Sequence, residues 1–288
     1  MLFGKRKTKQ QTGQGLKSEP ECPVLPPDIQ KYIPSAAGVT AGSVSLIGGR
    51  KSQQDALDYR VLSQGQFAAS VCDGMGGLNG GAQAAREACA GFFEEYESAV
   101  LSGQGASGFP QIARKLDRRV LHLRDTDGLP LDGGSTLTAV VIQNGLLHWL
   151  SVGDSRIGLL RNGQLHWLNR LHNYRLELDE ALKNGDISPD EYQAELPRGT
   201  ALLSYLGCGE LKYIDYQTGL PLLPSDLLLL CSDGFYDLLP GETLISTLEA
   251  LDETMANLPE LLEPFLGQAS RSMDNASAVI IRFLGEQN

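Results

Sequence analysis

Between residues 135 and 168 the chain is cut into four short apolar runs, and the cuts are turns. The runs occupy 135–142, 146–152, 156–160 and 164–168, lengths that suit strands and are too short for helices. Asn144-Gly145 and Arg161-Asn162-Gly163 separate them where the chain must reverse, and Asn and Gly accept the left-handed backbone of tight hairpins. Nothing between the runs is long enough to be a crossover helix, so consecutive strands must run antiparallel. An antiparallel meander is therefore the expected centre of the fold.

The flanks extend this pattern. Strands are expected at 39–47, 58–62 and 66–72 before the meander, and at 201–206, 211–217, 225–231 and 276–283 after it. Two helices are expected in between. In 79–100, Ala85, Cys89, Phe92, Phe93 and Tyr96 share a face; in 110–125, Ile112, Leu116, Val120 and Leu123 form a stripe. Glu94, Glu95 and Glu97 on the first, and Arg114, Lys115, Arg118 and Arg119 on the second, are expected to be solvated. Further helical stretches fall near 234–239, 241–250 and 254–270. Alternation of strand and helix in the βαβ sense is absent, which argues against a Rossmann-type sheet. The expectation is an α+β fold with two antiparallel sheets packed together and helices outside.

Two segments stand apart. Residues 169–200 interrupt the strands with a charged helical insertion, expected as a flap over the sheet. Asn173 to Asn184 is helical in period and ends at Gly185, and Ser188-Pro189-Asp190-Glu191 reads as a capping box with Pro at the first helical position. Residues 1–36 are basic and Gln-rich, then Pro-rich, and cannot bury enough apolar surface to offset their ordering entropy. They are expected as a disordered tail, leaving a single domain over 37–288.

A net charge of −11 over 288 residues argues against nucleic-acid binding, which needs a basic stripe. No apolar run approaches membrane-spanning length, and no apolar segment follows the basic start, so neither membrane insertion nor secretion is expected. The five cysteines are scattered, without CxxC spacing, which suggests neither a disulfide framework nor a zinc site. A cytoplasmic monomer with reduced thiols is expected. An anionic substrate would then need local positive charge, from metal ions or a placed arginine.

Acidic residues recur where strands begin or end. Asp73 follows the run ending Val71-Cys72 and is surrounded by Gly74, Gly76 and Gly77. Asp154 follows Val152-Gly153, Asp233 follows Cys231-Ser232, Asp274 precedes the last strand, and Asp55 lies between two early strands. One such Asp is usually a turn residue. Several meeting at one sheet edge would repel unless cations neutralised them. The four histidines are not spaced as a ligand group and no thiols cluster, so all candidate donors are oxygens, which select Mg²⁺ or Mn²⁺.

Val71 to Gly77, Gly134-Ser135-Thr136, Val152-Gly153-Asp154-Ser155-Arg156, Leu230-Cys231-Ser232-Asp233-Gly234 and Asp274-Asn275 resemble, in order and spacing, the metal-dependent serine/threonine phosphatases of the protein phosphatase 2C family, in its bacterial-type branch. The resemblance spans about 38–284. It implies a four-layer sandwich, with two antiparallel sheets between helix pairs, and a two-ion centre of Mn²⁺ or Mg²⁺ at one edge. It implies that Asp73 bridges the ions, that the Gly74 carbonyl binds one, and that Asp233 and Asp274 bind the other. Asp55 resembles the acid that holds metal-bound water, and Asp154, with Asp233, the position that can hold a third, looser ion. Arg50 resembles the phosphate-binding arginine; Asn275, Thr136 and Gln54 resemble supports.

What the resemblance implies is hydrolysis of phosphoserine and phosphothreonine in proteins, by in-line attack of a metal-bridging water. The partners would be phosphorylated proteins, including a serine/threonine kinase and its substrates. Three positions depart from the pattern. Gln53 stands where the family has Asn, Met75 replaces the His of many eukaryotic members, and Leu171-His172-Asn173 replaces Asp-His-Ser before the flap. The rival reading is a non-catalytic phosphoprotein-binding scaffold with a relic metal site.

Overall fold

The computed structural model describes residues 28–32, 38–63, 65–77, 80–266 and 273–285. Strands β1 (Asp28–Tyr32), β2 (Val39–Leu46), β3 (Ala56–Val61), β4 (Phe67–Cys72) and the two-residue β5 (Gly74–Met75) come first. Helices α1 (Gly80–Leu101) and α2 (Phe109–Leu121) precede β6 (Gly134–Ser135), β7 (Leu137–Gln143), β8 (Leu146–Val152), β9 (Arg156–Arg161) and β10 (Gln164–Trp167). The insertion carries α3 (Tyr174–Asn184) and α4 (Pro189–Glu195). Then come β11 (Asp215–Pro221), β12 (Leu227–Cys231), α5 (Asp233–Leu238), α6 (Glu242–Glu249), α7 (Leu258–Leu266) and β13 (Ala276–Phe283).

Two antiparallel sheets result, one in the order β1-β2-β13-β12-β9-β10 and one in the order β11-β8-β7-β4-β3, with β5 and β6 paired as a short ribbon. The meander is present as β7-β8 in one sheet and β9-β10 in the other, so the chain changes sheets at Gly153–Ser155. That change of sheet is what brings Asp154 to the sandwich edge.

Each central strand is buried on both faces, which is why its sequence reads as a continuous apolar run. Alternation sorts the side chains. Phe67, Ala69 and Val71 of β4 meet Leu228 and Leu230 of β12 and Val279 and Ile281 of β13 between the sheets. Ala68 and Cys72 face the other way, against Ala85, Cys89, Phe92 and Tyr96 of α1 and Ile112 and Leu116 of α2. Leu229 and Cys231 pack against Phe235, Leu244, Leu248 and Leu258 from the late helices. The layers are thus helix, sheet, sheet, helix, as expected. Leu230 is fully buried in the middle layer. Leu230→Ala is expected to lower the unfolding free energy by about 2–5 kcal/mol, measured by urea denaturation, because a cavity there has no flexible edge to collapse into.

Several expectations need correction. Asp28–Tyr32 falls inside the stretch read as tail, yet it pairs in register with β2, from Asp28 opposite Ser45 to Tyr32 opposite Ala41. Backbone pairing to a sheet edge needs no apolar side chains, so composition does not reveal it. The rest of 1–36 lies outside the described residues. Residues 201–206 form isolated bridges at Leu202 and Leu206 rather than a strand. Their polar groups are committed to His172, to Ser135 and to an exchange between Ser204 and Tyr213. The next strand starts at Asp215 rather than at 211.

The basic stripe of α2 is not simply solvated. Arg119 pairs with Glu87, Glu94 and Glu95, and Lys115 with Glu95, so the charged faces of α1 and α2 are joined along one side. Cys72 and Cys231 are free thiols buried in the core. Among the described residues no helix is long and apolar enough to cross a membrane.

Candidate metal centre and its cleft

The strand ends converge. A cleft of about 980 Å³ is lined by Asp73, Asp154, Asp233 and Asp274, with Arg50, Gln54, Gly74 and Thr136 beside them. Asp73 is delivered by the end of β4, Asp154 by the turn after β8, Asp233 by the first turn of α5, and Asp274 by the approach to β13. The flap supplies the opposite wall through Leu171, Arg175, Leu176 and Leu196. The insertion therefore lines the site.

The backbone of Asp73 is fixed from both sides. Its N–H donates to Thr136 Oγ1 at 2.9 Å, and its carbonyl accepts from the Thr136 N–H at 2.8 Å and from Ser135 Oγ at 3.1 Å. Gly74 is a requirement of space: a Cβ there would stand 2.2 Å from the Gly81 carbonyl oxygen and 2.5 Å from that of Gln54. Thr136 thus supports Asp73 and does not need to touch an ion to matter.

Asn275 is likewise a staple. Its Oδ1 accepts from the Gln54 N–H at 2.9 Å, and its Nδ2 donates to the carbonyls of Ile47 and Ser52. This fixes the loop that carries Arg50, whose guanidinium pairs with Asp274. Gln53, despite replacing the family's Asn, is pinned by donation to Ser45 Oγ and the Leu46 carbonyl.

Asp55 sits behind this wall, outside the cleft lining. Ser232 Oγ donates to its Oδ2 at 3.0 Å. Its Oδ1 is inaccessible to solvent and has no hydrogen-bond partner. Burial pushes its carboxyl up to about 6, against the pull of Ser277 and Ser232, and Asp233 and Asp274 add to the rise. Asp73 is raised well above the ordinary range by burial, then by Asp55, Asp233, Asp154 and Asp274. Asp154 is pushed up to about 6 by burial and by Asp233. Burial raises Asp233 too, followed by the charge of Asp274. Burial is the largest cause of each shift, and neighbouring carboxylates add to it.

These residues fit a hard divalent cation. The orphaned oxygen of Asp55 and the mutually repelling carboxylates are both relieved by positive charge in the cleft, and every donor is oxygen. Among the described residues, no three His, Cys, Asp or Glu side chains are arranged to hold an ion by themselves. Mg²⁺ binds through one or two carboxylates and keeps several waters in its shell, so it does not need a cage made of side chains alone.

A family model for protein phosphatase 2C matches residues 45–270. The chain belongs to the protein phosphatase 2C family. The protein phosphatase PhpP of Streptococcus pneumoniae is 26% identical over 234 residues, covering 81% of this chain and 92% of that one. The serine/threonine phosphatase of S. agalactiae superposes with a TM-score of 0.68 at 22% identity, covering 86% of this chain and all of the other. The PstP catalytic domain in complex with two manganese ions superposes at 0.58 and 22% identity, over 85% of this chain and 98% of that one. These likenesses fit the two-sheet sandwich. The matched stretch ends before Asp274.

Three cleft residues of this phosphatase were not singled out from sequence. Arg156 stacks over Tyr236 at 3.9 Å and over Trp167 at 5.0 Å. Tyr236 and Asp237 line the cleft beside it. Asp237 was legible, because it lies four residues after Asp233 on one helix and so shares its face. Met75 also lines the cleft.

Proposed function

We propose that this protein hydrolyses phosphoserine and phosphothreonine esters in proteins, with two divalent cations, Mn²⁺ or Mg²⁺, held at the cleft. The observation that carries the reading is the crowding of Asp73, Asp154, Asp233 and Asp274 in the cleft wall, with Asp55 buried behind them and one of its oxygens without a hydrogen-bond partner. Such a cluster is costly to the fold and is useful only when cations bind to it.

In this reading Asp73, the Gly74 carbonyl, Asp233 and Asp274 would hold the two ions, and Asp154 with Asp233 would offer a place for a third. Asp55, whose charge reaches Asp73 from behind the cleft wall, would help hold water at the ions. When bound, the ions supply an acidified water and neutralise charge on the phosphoryl oxygens. Arg50 offers a planar fork to those oxygens and sets the phosphate for in-line displacement. Thr136, Asn275 and Gln54 keep this geometry by holding backbone. No cysteine is among the described residues that line the cleft, which supports water rather than a thiol as the nucleophile. Met75 cannot donate a proton, which leaves protonation of the departing serine or threonine oxygen to water. The partners are phosphorylated proteins, among them a serine/threonine kinase and its substrates.

The test is cation-dependent turnover. Metal-stripped protein should be inert toward p-nitrophenyl phosphate and toward phosphoserine and phosphothreonine peptides, and Mn²⁺ or Mg²⁺ should restore release of phosphate. Phosphopeptide binding without turnover at any cation concentration would sink the enzyme reading and leave a scaffold.

A further inference from the structure

His172 is fully buried at the root of the flap and takes no part in the scheme above. It grips one peptide unit from both sides. The Gly153 N–H donates to His172 Nδ1 at 3.1 Å, and the His172 N–H donates to the Gly153 carbonyl at 2.9 Å. Gly153 is the residue before Asp154, and its φ of +102° leaves it no room for a side chain, since a Cβ would stand 2.6 Å from Thr136 Cγ2. Thr136 in turn accepts from the Asp73 N–H, and its hydroxyl lies 2.7 Å from Ser155 Oγ. The turn that His172 holds is thus packed against the residue that holds Asp73.

The other side of the imidazole faces the flap's anchorage. His172 Nε2 is buried without a hydrogen-bond partner and lies 3.4 Å from Asp215 Oδ1. Asp215 is held by Arg170, through its backbone N–H at 2.9 Å, Nε at 3.1 Å and Nη2 at 2.7 Å. The His172 carbonyl accepts from the Leu203 N–H at 2.9 Å, which ties the segment leaving the flap to the segment entering it.

Both ends of the ring demand the same tautomer. An N–H donor points at Nδ1, so Nδ1 must offer its lone pair. An ionised carboxylate lies beside Nε2, so a lone pair there would be repelled and an N–H attracted. We propose that His172, fixed as its Nε2–H tautomer between Gly153 and Asp215, is a positioning residue that locks the Gly153–Asp154 turn to the root of the flap. It acts through the turn and touches neither substrate nor cation. The inference rests on the phosphatase reading only for its kinetic consequence. A residue that orients a ligand-bearing turn typically changes metal affinity or turnover by about 10- to 100-fold when lost.

The test has two independent arms. Imidazole ¹⁵N spectra of the metal-free wild-type protein should show His172 with Nε2 protonated and Nδ1 accepting a hydrogen bond, and His172→Leu should speed hydrogen exchange at the Gly153 amide. An Nδ1–H tautomer, or unchanged exchange at Gly153, overturns the proposal whether or not the protein is an enzyme. Kinetics form the second arm. His172→Gln, which fills similar space but places no acceptor near Gly153, should lower kcat for p-nitrophenyl phosphate about tenfold with little change in KM. His172→Asn, whose Oδ1 falls where Nδ1 stood, should recover most of that loss. Gln turning over as fast as wild type, or Asn failing to outperform Gln at equal thermal stability, overturns the claim. A wild-type protein with no cation-dependent hydrolysis would instead defeat the phosphatase reading, while the spectroscopic arm still decides the role of His172.

Discussion

Replacing Asp73 by Asn is expected to lower turnover about 10³-fold or more and, at the same time, to raise the melting temperature of the metal-free protein. The first effect follows from its place. Asp73 is the carboxylate that feels the charges of Asp55, Asp233, Asp154 and Asp274 together, so it is the one positioned to share cations with them. Charge stabilisation by such ions is worth several kcal/mol, and each 1.36 kcal/mol is tenfold in rate. The second effect is the more discriminating. Most substitutions destabilise. Here an uncharged isostere removes a carboxylate that is buried and repelled by four neighbours, while the backbone clamp from Thr136 and Ser135 stays in place. For a chain of this size each kcal/mol gained moves the midpoint by about 2–4 °C. Thermal scans in chelator, alongside cation-saturated assays, read both. A variant that keeps a tenth of wild-type turnover, or whose metal-free form melts lower than wild type, would show that Asp73 is not the centre of the cluster.

The sandwich was legible because its central strands are buried on both faces and its turns are spelled with Asn-Gly. Leu227–Cys231 could only be an inner strand, and it is one. The helix ends were legible for the same local reason: Ser188 and Glu191 form the reciprocal capping pair that their spacing announces, and Gly185 closes α3 with a left-handed φ of 79°. Edge structure was not legible. β1 pairs through backbone alone, and β11 begins at Asp215, whose carboxylate is committed to Arg170 rather than to any strand pattern. Among the site residues, those with an acidic side chain at a strand end could be collected from the sequence. Their supports could not. Ser232 reaches Asp55 across a sequence separation of 177 residues, and His172 meets Gly153 only because the chain changes sheets between them. A hydroxyl or an imidazole carries no local sign of a partner that the fold alone brings near.

Cation binding should in turn depend steeply on pH, with a sign set by the raised carboxylates. In the metal-free fold Asp55 and Asp154 are pushed up to about 6, and Asp73 and Asp233 are also raised, whereas in an unfolded chain an Asp has released its proton by about pH 4. A group whose folded pKa is raised gives its stability in full below the unfolded value and loses it as pH rises through the folded one. The metal-free protein therefore loses stability from these groups between about pH 4 and about pH 7. A divalent cation must displace the same protons, so its apparent affinity should rise with pH, about tenfold per unit or more steeply below about pH 6. Asp215 has the opposite sign: burial would raise it, but His172 and Arg170 outweigh burial and hold it well below the usual carboxylate range. Its contribution is lost only in strong acid and is the same with and without cation, so the difference between the two conditions removes it. The expected result is a Mg²⁺-induced rise in melting temperature that is small at about pH 5 and large at about pH 8. A rise equal at both, or larger in acid, would mean that the cation binds elsewhere than among these four aspartates.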